Sequence, residues 1–404
     1  MDSFTCIFLV FMLCFSAVGS RPHLSSNNVR TRASLTDAEG VCSAVVETQN
    51  YPCHEHKVTT QDGFILSLQN IPYGRSDKTA GERPPVLVQH GLFLDAISWL
   101  LSPPDQSLAL ILADEGFDVW LVSTRGTKYS RGHTSLSPDD DDYWFWTWDE
   151  LAAYDLPATF QYIHDQTGQK LHYVGHSQGT LIALAALSDG QLVSMMRSAA
   201  LLSPVAYLGK VTSPLARFAA ENLLAEALHL LRINEFNPRG KAVIDLLMQV
   251  CKTKDIDCTN LLTSFTGENC CLNSSIVSVL LQHEPQPTST KNMIHLSQMV
   301  REGMIRKFDY EDEKENMKHY GTPTPPLYEM TNISNDLPLF MAYGGADALS
   351  VTKDVKMLLD RLQGHKGDKL VVEYTEEYGH VDYVLAVDAK QVVYDPIIAF
   401  FRLQ

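Results

Sequence analysis

The residues with the most chemistry in them are Gly175-His176-Ser177-Gln178-Gly179. A glycine two places before and two places after a serine allows a strand to turn sharply into a helix, because a Cβ at either place would strike the elements that cross there. The serine hydroxyl is then held above the sheet. Alone the pentapeptide is a weak signal, but Leu171-His172-Tyr173-Val174 before it reads as a strand and Thr180 to Leu187 after it as a helix. A serine hydroxyl is a poor nucleophile at its ordinary pKa, so a histidine base and a carboxylate that orients it must follow, in the chain order serine, acid, histidine. Asp347 follows the apolar run Leu339 to Tyr343 through Gly344-Gly345-Ala346, at the C-terminal end of a strand, where sites of open α/β sheets lie. Asp336 precedes that run, and Asp354 falls on the next helix. His380, in Tyr378-Gly379-His380-Val381-Asp382, follows the run Leu370 to Tyr374, whereas His365 precedes it. An attacked carbonyl also needs donors for its oxyanion. The amides of Gln178 and of Leu92, in Gln89-His90-Gly91-Leu92 after the run Pro85 to Val88, are the pair expected to serve. His90 reads as structural and His176 as shaping the turn. Such a set performs acyl transfer from an ester to water.

The elements that must hold these residues alternate. Val58 to Gln69 reads as two extended runs around the turn Gln61-Asp62-Gly63. Continuous apolar runs at Pro85 to Gln89, Phe117 to Val122, Leu171 to Val174, Ala199 to Leu202, Leu339 to Tyr343 and Leu370 to Tyr374 suit strands buried on both faces. Helical stretches lie between them, at Leu108 to Glu115, Asp149 to Gln166 and Thr180 to Leu187. Strands alternating with helices imply an α/β fold with a mostly parallel sheet and helices on both faces. From Lys210 to Pro325 the rhythm breaks into Leu, Met, Ala and charged residues with no buried-strand run, which reads as a helical insertion. The organisation expected is a signal peptide (1–19), a first part of the core with an N-terminal arm (20–209), a helical cap (210–325) and a second part of the core (326–404).

Composition narrows the partners. The chain has 404 residues, 32 basic against 48 acidic, and a formal charge of −16. Nucleic acid binding needs a basic face, so it is excluded as a role, and anionic lipid would not be gripped by charge. The apolar run from Thr5 to Val18, followed by Gly19, reads as a secretory signal cleaved after Gly19, too short to span a bilayer and without a Lys or Arg before it. No later stretch reads as a transmembrane helix. In the oxidising compartment this implies, Cys42, Cys53, Cys251, Cys258, Cys270 and Cys271 remain after cleavage. Cys42 with Cys53 can staple the N-terminal segment and the later four can pair among themselves. A bond between the adjacent Cys270 and Cys271 is not expected, on geometric grounds. The cysteines lack metal-ligand spacing, so no metal is expected. Asn273-Ser274-Ser275 and Asn332-Ile333-Ser334 are glycosylation sequons. The acidic run 139–142 reads as a solvated loop, and the aromatic run Tyr143 to Trp148 as core packing.

Taken together, these residues resemble the acid lipases of the α/β-hydrolase superfamily, the gastric and lysosomal group, and among them the plant triacylglycerol lipases. The resemblance runs from about Val41 to Arg402. It rests on His90-Gly91-Leu92, on Gly116-Phe117-Asp118-Val119-Trp120 with Arg125-Gly126, on Tyr154-Asp155-Leu156-Pro157-Ala158, on Gly175 to Thr180, on Lys291-Asn292-Met293 with His295-Leu296-Ser297-Gln298, and on Gly344-Gly345-Ala346-Asp347. It implies an α/β-hydrolase fold and places nucleophile, acid and base on Ser177, Asp347 and His380, with oxyanion donors Leu92 and Gln178. Gly379 departs from some members, which carry Ala or another residue there, and no consequence is expected of it. The resemblance implies a lipase acting on fatty-acyl esters, triacylglycerols foremost, at a lipid–water interface, without cofactor, in the secretory pathway and either extracellular or vacuolar/lysosomal. A steryl-ester, wax or phospholipid esterase, or an acyltransferase, would share the same triad. A non-catalytic binding protein of this fold would have lost a triad residue, and none is missing here.

Overall fold

Each apolar run that reads as a strand becomes one. The computed structural model describes residues 40–76, 82–250 and 260–404, so the signal peptide, most of the arm, and Cys251 and Cys258 lie outside the described residues. Strands β1 (His54–Thr59) and β2 (Phe64–Ile71) form an antiparallel hairpin. Its turn is closed by Gly63 at φ 100°, a conformation glycine adopts without a Cβ penalty. Then come β3 (Pro85–Gln89), β4 (Asp118–Ser123), the short β5 (Gly132–His133), β6 (Leu171–His176) and β7 (Met196–Leu202). After the two-residue strands β8 (Glu235–Phe236) and β9 (Thr288–Ser289), which pair with each other, β10 (Leu339–Gly344) and β11 (Leu370–Thr375) complete the main sheet. Its order is β1-β2-β4-β3-β6-β7-β10-β11, with β5 beside β2. All neighbours from β4 to β11 run parallel.

Alternation along these strands sorts the core into two layers. Leu87, Trp120, Tyr173, Leu201 and Met341 face one side and pack with helices α2 (Leu156–Thr167) and α3 (Gln178–Ser188). Val86, Val88, Val119, Leu121, Val174, Phe340 and Ala342 face the other, against α1 (Leu108–Asp114) and α12 (Asp395–Arg402). Each fully buried large apolar side chain contributes about 1.5–3 kcal/mol. Both faces being covered is what the unbroken apolar runs require, except at β11, which ends the sheet and leaves Val372, Glu373 and Tyr374 exposed, against the expectation for Leu370 to Tyr374.

The stretch Asp149 to Gln166 departs from the single helix expected of it. A short helix at Trp148–Glu150, capped by Thr147 and Glu150, leads into a π-helical turn at Leu151–Asp155 before α2 begins. Pro157 has no N–H to give to the preceding turn, which interrupts the ladder there. Of the aromatic run, Tyr143, Trp144, Trp146 and Trp148 are buried and Phe145 is half exposed, while the acidic run 139–142 is exposed.

Between β7 and β10 lie helices α4 (Pro214–Glu221), α5 (Leu224–Leu230), α6 (Lys241–Val250), α7 (Leu261–Thr266), α8 (Ser274–His283), α9 (Thr290–Glu302) and α10 (Glu313–Tyr320), and α11 (Thr352–Arg361) follows β10. Leu223, Leu230, Leu231, Ile244, Met248, Leu261 and Leu281 of this region are exposed. Cys42 and Cys53 are bonded. So are Cys270 and Cys271, against the expectation from sequence. Both of their amides donate to one carboxylate, that of Asp382, at 3.1 and 3.2 Å, which folds the pair into a turn that brings the side chains together.

Candidate active site

Ser177 stands between the end of β6 and the start of α3 with φ 55° and ψ −119°, a backbone conformation that costs a non-glycine residue of order 1–3 kcal/mol. Packing over-determines it. Its amide donates to Leu202 O at 3.0 Å. A Cβ on Gly175 would lie 2.9 Å from the carbonyl carbon of Gly179, and one on Gly179 would lie 2.9 Å from Gln89 O. Both glycines are therefore required by the crossing of helix and strand.

Three strand ends bring the chemistry together. His380 Nε2 lies 2.7 Å from Ser177 Oγ, and His380 Nδ1 lies 2.8 and 3.0 Å from the two carboxylate oxygens of Asp347. A carboxylate only accepts, so Nδ1 carries the proton and Nε2 is left to accept from the serine hydroxyl. Asp347 Oδ1 also accepts from the amides of Leu349 and Ser350, each at 2.8 Å. Burial alone would raise the Asp347 carboxyl, but the His380 ring and these amides outweigh it and hold the group below the usual carboxylate value. The three side chains are buried, and Ser177 is only 8% exposed.

The two remaining histidines of the motifs are buried and structural. His176 Nε2 donates to His380 O at 2.9 Å, and burial with the neighbouring His380 lowers its pKa to about 3, so it stays neutral. His90 donates from Nδ1 to Gly91 O at 2.8 Å and accepts at Nε2 from the Thr124 amide at 3.0 Å. Burial lowers its pKa to about 4. It thereby fixes Gly91, where a Cβ would come within 2.8 Å of Ser177 Cβ. The Leu92 amide, next in chain to Gly91, and the Gln178 amide, at the start of α3, have no hydrogen-bond acceptor among the described residues. Among the described residues no group of three or more His, Cys, Asp or Glu side chains is placed to hold a metal ion.

Known proteins resemble this chain over most of its length. Residues 42–103 match the model of a partial alpha/beta-hydrolase lipase region, and residues 84–251 that of the alpha/beta hydrolase fold. The chain is 50% identical to triacylglycerol lipase 2 of Arabidopsis thaliana over 91% of this chain and 89% of that protein. It belongs to the acid lipase family. Gastric triacylglycerol lipase of Rattus norvegicus is 37% identical over 88% of this chain and 90% of its own length. Among solved structures, a soluble variant of monoglyceride lipase from Saccharomyces cerevisiae shares the fold at TM-score 0.55 and 13% identity, covering 87% of this chain and 94% of that one. Acid lipases are carboxylic ester hydrolases, and this one has the fold of an enzyme. No helix among the described residues is long and apolar enough to cross a membrane.

Three features of this acid lipase's site were not anticipated. Asn292, on α9, accepts from Gln178 Nε2 at 3.3 Å and donates to Thr288 Oγ1 at 3.1 Å, tying the residue after Ser177 to the region between β7 and β10. The only sequence signal for it was the Lys291-Asn292-Met293 motif. Asp382, two residues after His380, accepts from the Gly379 amide at 2.7 Å as well as from Cys270 and Cys271, and the Val381 amide donates to Asn269 Oδ1 at 2.9 Å. The segment 266–272 is thus laid across the loop that carries His380. This gives Gly379 a consequence that the sequence did not reveal, since a Cβ there would lie 2.3 Å from Glu268 O. Gly379→Ala is expected to push segment and loop apart and to lower kcat by about 10²-fold through misplacement of His380, read by steady-state kinetics beside a thermal melt. The two sequon asparagines, Asn273 and Asn332, are exposed.

Proposed function

We propose that this chain is a secretory-pathway serine ester hydrolase that cleaves fatty-acyl esters, triacylglycerols foremost, through Ser177, His380 and Asp347. The observation that carries the reading is the hydrogen-bonded relay from Asp347 through His380 to Ser177 Oγ, supported by family membership. His380 takes the hydroxyl proton as Ser177 attacks the ester carbonyl, and Asp347 stabilises the imidazolium. The amides of Leu92 and Gln178 receive the oxyanion, and each such donor is worth about 10² to 10³ in rate. His380 returns the proton to the leaving alcohol. Water then attacks the acyl-serine by the same route and releases the fatty acid.

The helices of 210–325 act as a cap. With Ser177 nearly sealed, the cap must shift to admit an acyl chain, and its exposed Leu, Ile and Met side chains are the surface that meets the oil phase. A chain with a formal charge of −16 gains nothing from salt-sensitive attraction to lipid, so binding to neutral emulsions should be nearly independent of ionic strength. Asn273 and Asn332 are proposed glycan sites, and the destination is extracellular or vacuolar.

The test is an alkylphosphonate ester that phosphonylates activated serines, followed by peptide mass mapping. Stoichiometric labelling confined to Ser177, with parallel loss of hydrolysis across a panel of acylglycerols, steryl esters and phospholipids, is expected. Labelling elsewhere, or hydrolysis that survives full labelling, would overturn the reading. Faster turnover of steryl esters or phospholipids than of triacylglycerols would move the substrate while leaving the chemistry in place.

A further inference from the structure

The loop that follows β3 and carries the Leu92 amide is held from two sides. From the core, His90 fixes Gly91. From the cap, Phe93, at φ 63°, stacks on Phe236 with ring centroids 5.6 Å apart and lies 6.1 Å from Phe265. Phe93 O accepts from the Gln286 amide at 2.7 Å, and the Asp95 amide donates to Glu284 Oε1 at 3.0 Å. The last contact brings two carboxyl groups into one buried place, since Asp95 is 0% and Glu284 2% exposed.

Two oxygens there have no protein donor. Asp95 Oδ1 is used by the Ile97 amide at 2.8 Å and Glu284 Oε1 by the Asp95 amide, but Asp95 Oδ2 and Glu284 Oε2 are sealed from solvent and neither accepts a hydrogen bond among the described residues. Two sealed carboxylates side by side would repel each other and leave both oxygens unsatisfied. One proton shared between them removes the repulsion and supplies the missing hydrogen bond. The charged and titratable groups around the pair do not replace that proton. Lys128 and Tyr129 face it from the loop after β4, Arg239 from the segment before α6, and His283 from the end of α8, all lining a cavity of about 200 Å³ beside Asp95. The Arg239 guanidinium is already bonded to the carbonyls of Leu281, Gln282 and Glu284. Burial, with Lys128 and Arg239 nearby, lowers the pKa of His283. Lys128 offsets one negative charge on Asp95 but forms no ion pair with either carboxyl among the described residues.

We infer that Asp95 and Glu284 are a proton-sharing positioning pair that locks the cap onto the oxyanion loop while one proton lies between them, and that releases the loop when both carboxyls ionise. The inference rests on the hydrolase reading above, because it gives the Leu92 amide its oxyanion role. Burial, the largest cause for both groups, raises Asp95 to about 6 and Glu284 well above its ordinary value. The sign follows. A carboxyl with a raised folded pKa binds its proton more tightly in the folded state, so its contribution is complete in acid and is lost as pH rises from about 4 through the folded values.

The decisive variant is Glu284→Gln, with Asp95→Asn as its partner, since an amide supplies the bridging hydrogen without titrating. With a soluble short-chain ester, the ratio of E284Q to wild-type kcat is expected to stay near 1 at about pH 5 and to reach the order of 10 by about pH 8, with KM little changed. Melting temperatures measured over the same range should fall with pH in the wild type and flatten in E284Q. If the wild type hydrolyses nothing at any pH, the hydrolase reading fails and the melts still report the pair. If the wild type is active and both its kcat and melting profiles superimpose on those of E284Q and D95N, the pair does not titrate and the inference is overturned. Diverging melts with superimposed kcat profiles would equally overturn it, by showing a pair that titrates without positioning the loop.

Discussion

Ser177→Ala is expected to lower kcat for ester hydrolysis by about 10⁶ while leaving the melting temperature within a few degrees of wild type. The variant keeps the left-handed backbone at 177, because alanine suffers the same strain there and its methyl group occupies the space of the Cβ already present. It loses one hydrogen bond, from Oγ to His380 Nε2, worth about 1 kcal/mol. Asp347→Asn should cost about 10⁴ by a different route. The amides of Leu349 and Ser350 hold an oxygen at this position, so the asparagine turns its NH₂ toward His380 Nδ1. That forces the ring proton onto Nε2, where it faces a hydroxyl it can no longer deprotonate. The same variant has a pH signature. The Asp347 carboxyl is held below its ordinary value, so its stabilisation is complete above about pH 4 and is lost as pH falls through the folded value. The gap in melting temperature between wild type and D347N should therefore be widest at neutral pH and close in acid. Single-turnover kinetics and melts over that range check both parts, and appreciable turnover by S177A would remove Ser177 from the nucleophile role.

Sequence and structure meet where a local rule dictates a local shape. Gly175 and Gly179 are legible because the sharp turn leaves no room for a Cβ at either, and β6 and α3 because an apolar run and an alanine-rich helix flank it. Asp347 and His380 could be chosen over Asp336, Asp354 and His365 because strand direction decides which end of a sheet a loop joins. Contacts between segments far apart in the chain were not legible. Nothing local in Glu284 marks it as the partner of Asp95, 189 residues away. Gly379 looked interchangeable because the carbonyl that excludes a Cβ there belongs to Glu268. The adjacent cysteines were judged by bond geometry alone, without the carboxylate of Asp382 that gathers their amides. The π-helical turn at Leu151–Asp155 was hidden for a related reason, since periodicity over so few residues does not separate it from an ordinary helix.

Arg125→Met is expected to produce the largest loss of stability, about 3–5 kcal/mol, against the roughly 5–15 kcal/mol that holds a domain of this kind folded. The guanidinium is fully buried and serves two acids at once. Nε lies 2.8 Å from Asp155 Oδ1, Nη2 bonds the same oxygen, and Nη1 and Nη2 reach the two oxygens of Asp62 at 2.6 and 3.0 Å. Its plane stands 3.9 Å over the Phe64 ring. One side chain thus joins the β1–β2 turn, the loop after β4 and the π-helical turn before α2. Methionine fills similar space but leaves Asp155, 3% exposed, with its charge unpaired. Burial already holds the Asp155 carboxyl above its ordinary value, and Arg125 opposes that rise. Without the arginine the group rises further, so the variant's folded state takes up a proton and its deficit grows as pH increases from about 4. The urea midpoint of R125M should therefore lie closer to wild type near pH 5 than near pH 7. Arg125→Lys should recover only part of the loss, because an ammonium cannot divide its donors between two carboxylates as the planar fork does. The site feels the change through one short path. Thr124 donates its amide to His90 Nε2, and His90 fixes Gly91 beneath the Leu92 amide, so R125M that remains folded should lose kcat without a matching rise in KM. An unchanged urea midpoint in R125M would show that the two acids are solvated and that the network carries no such weight.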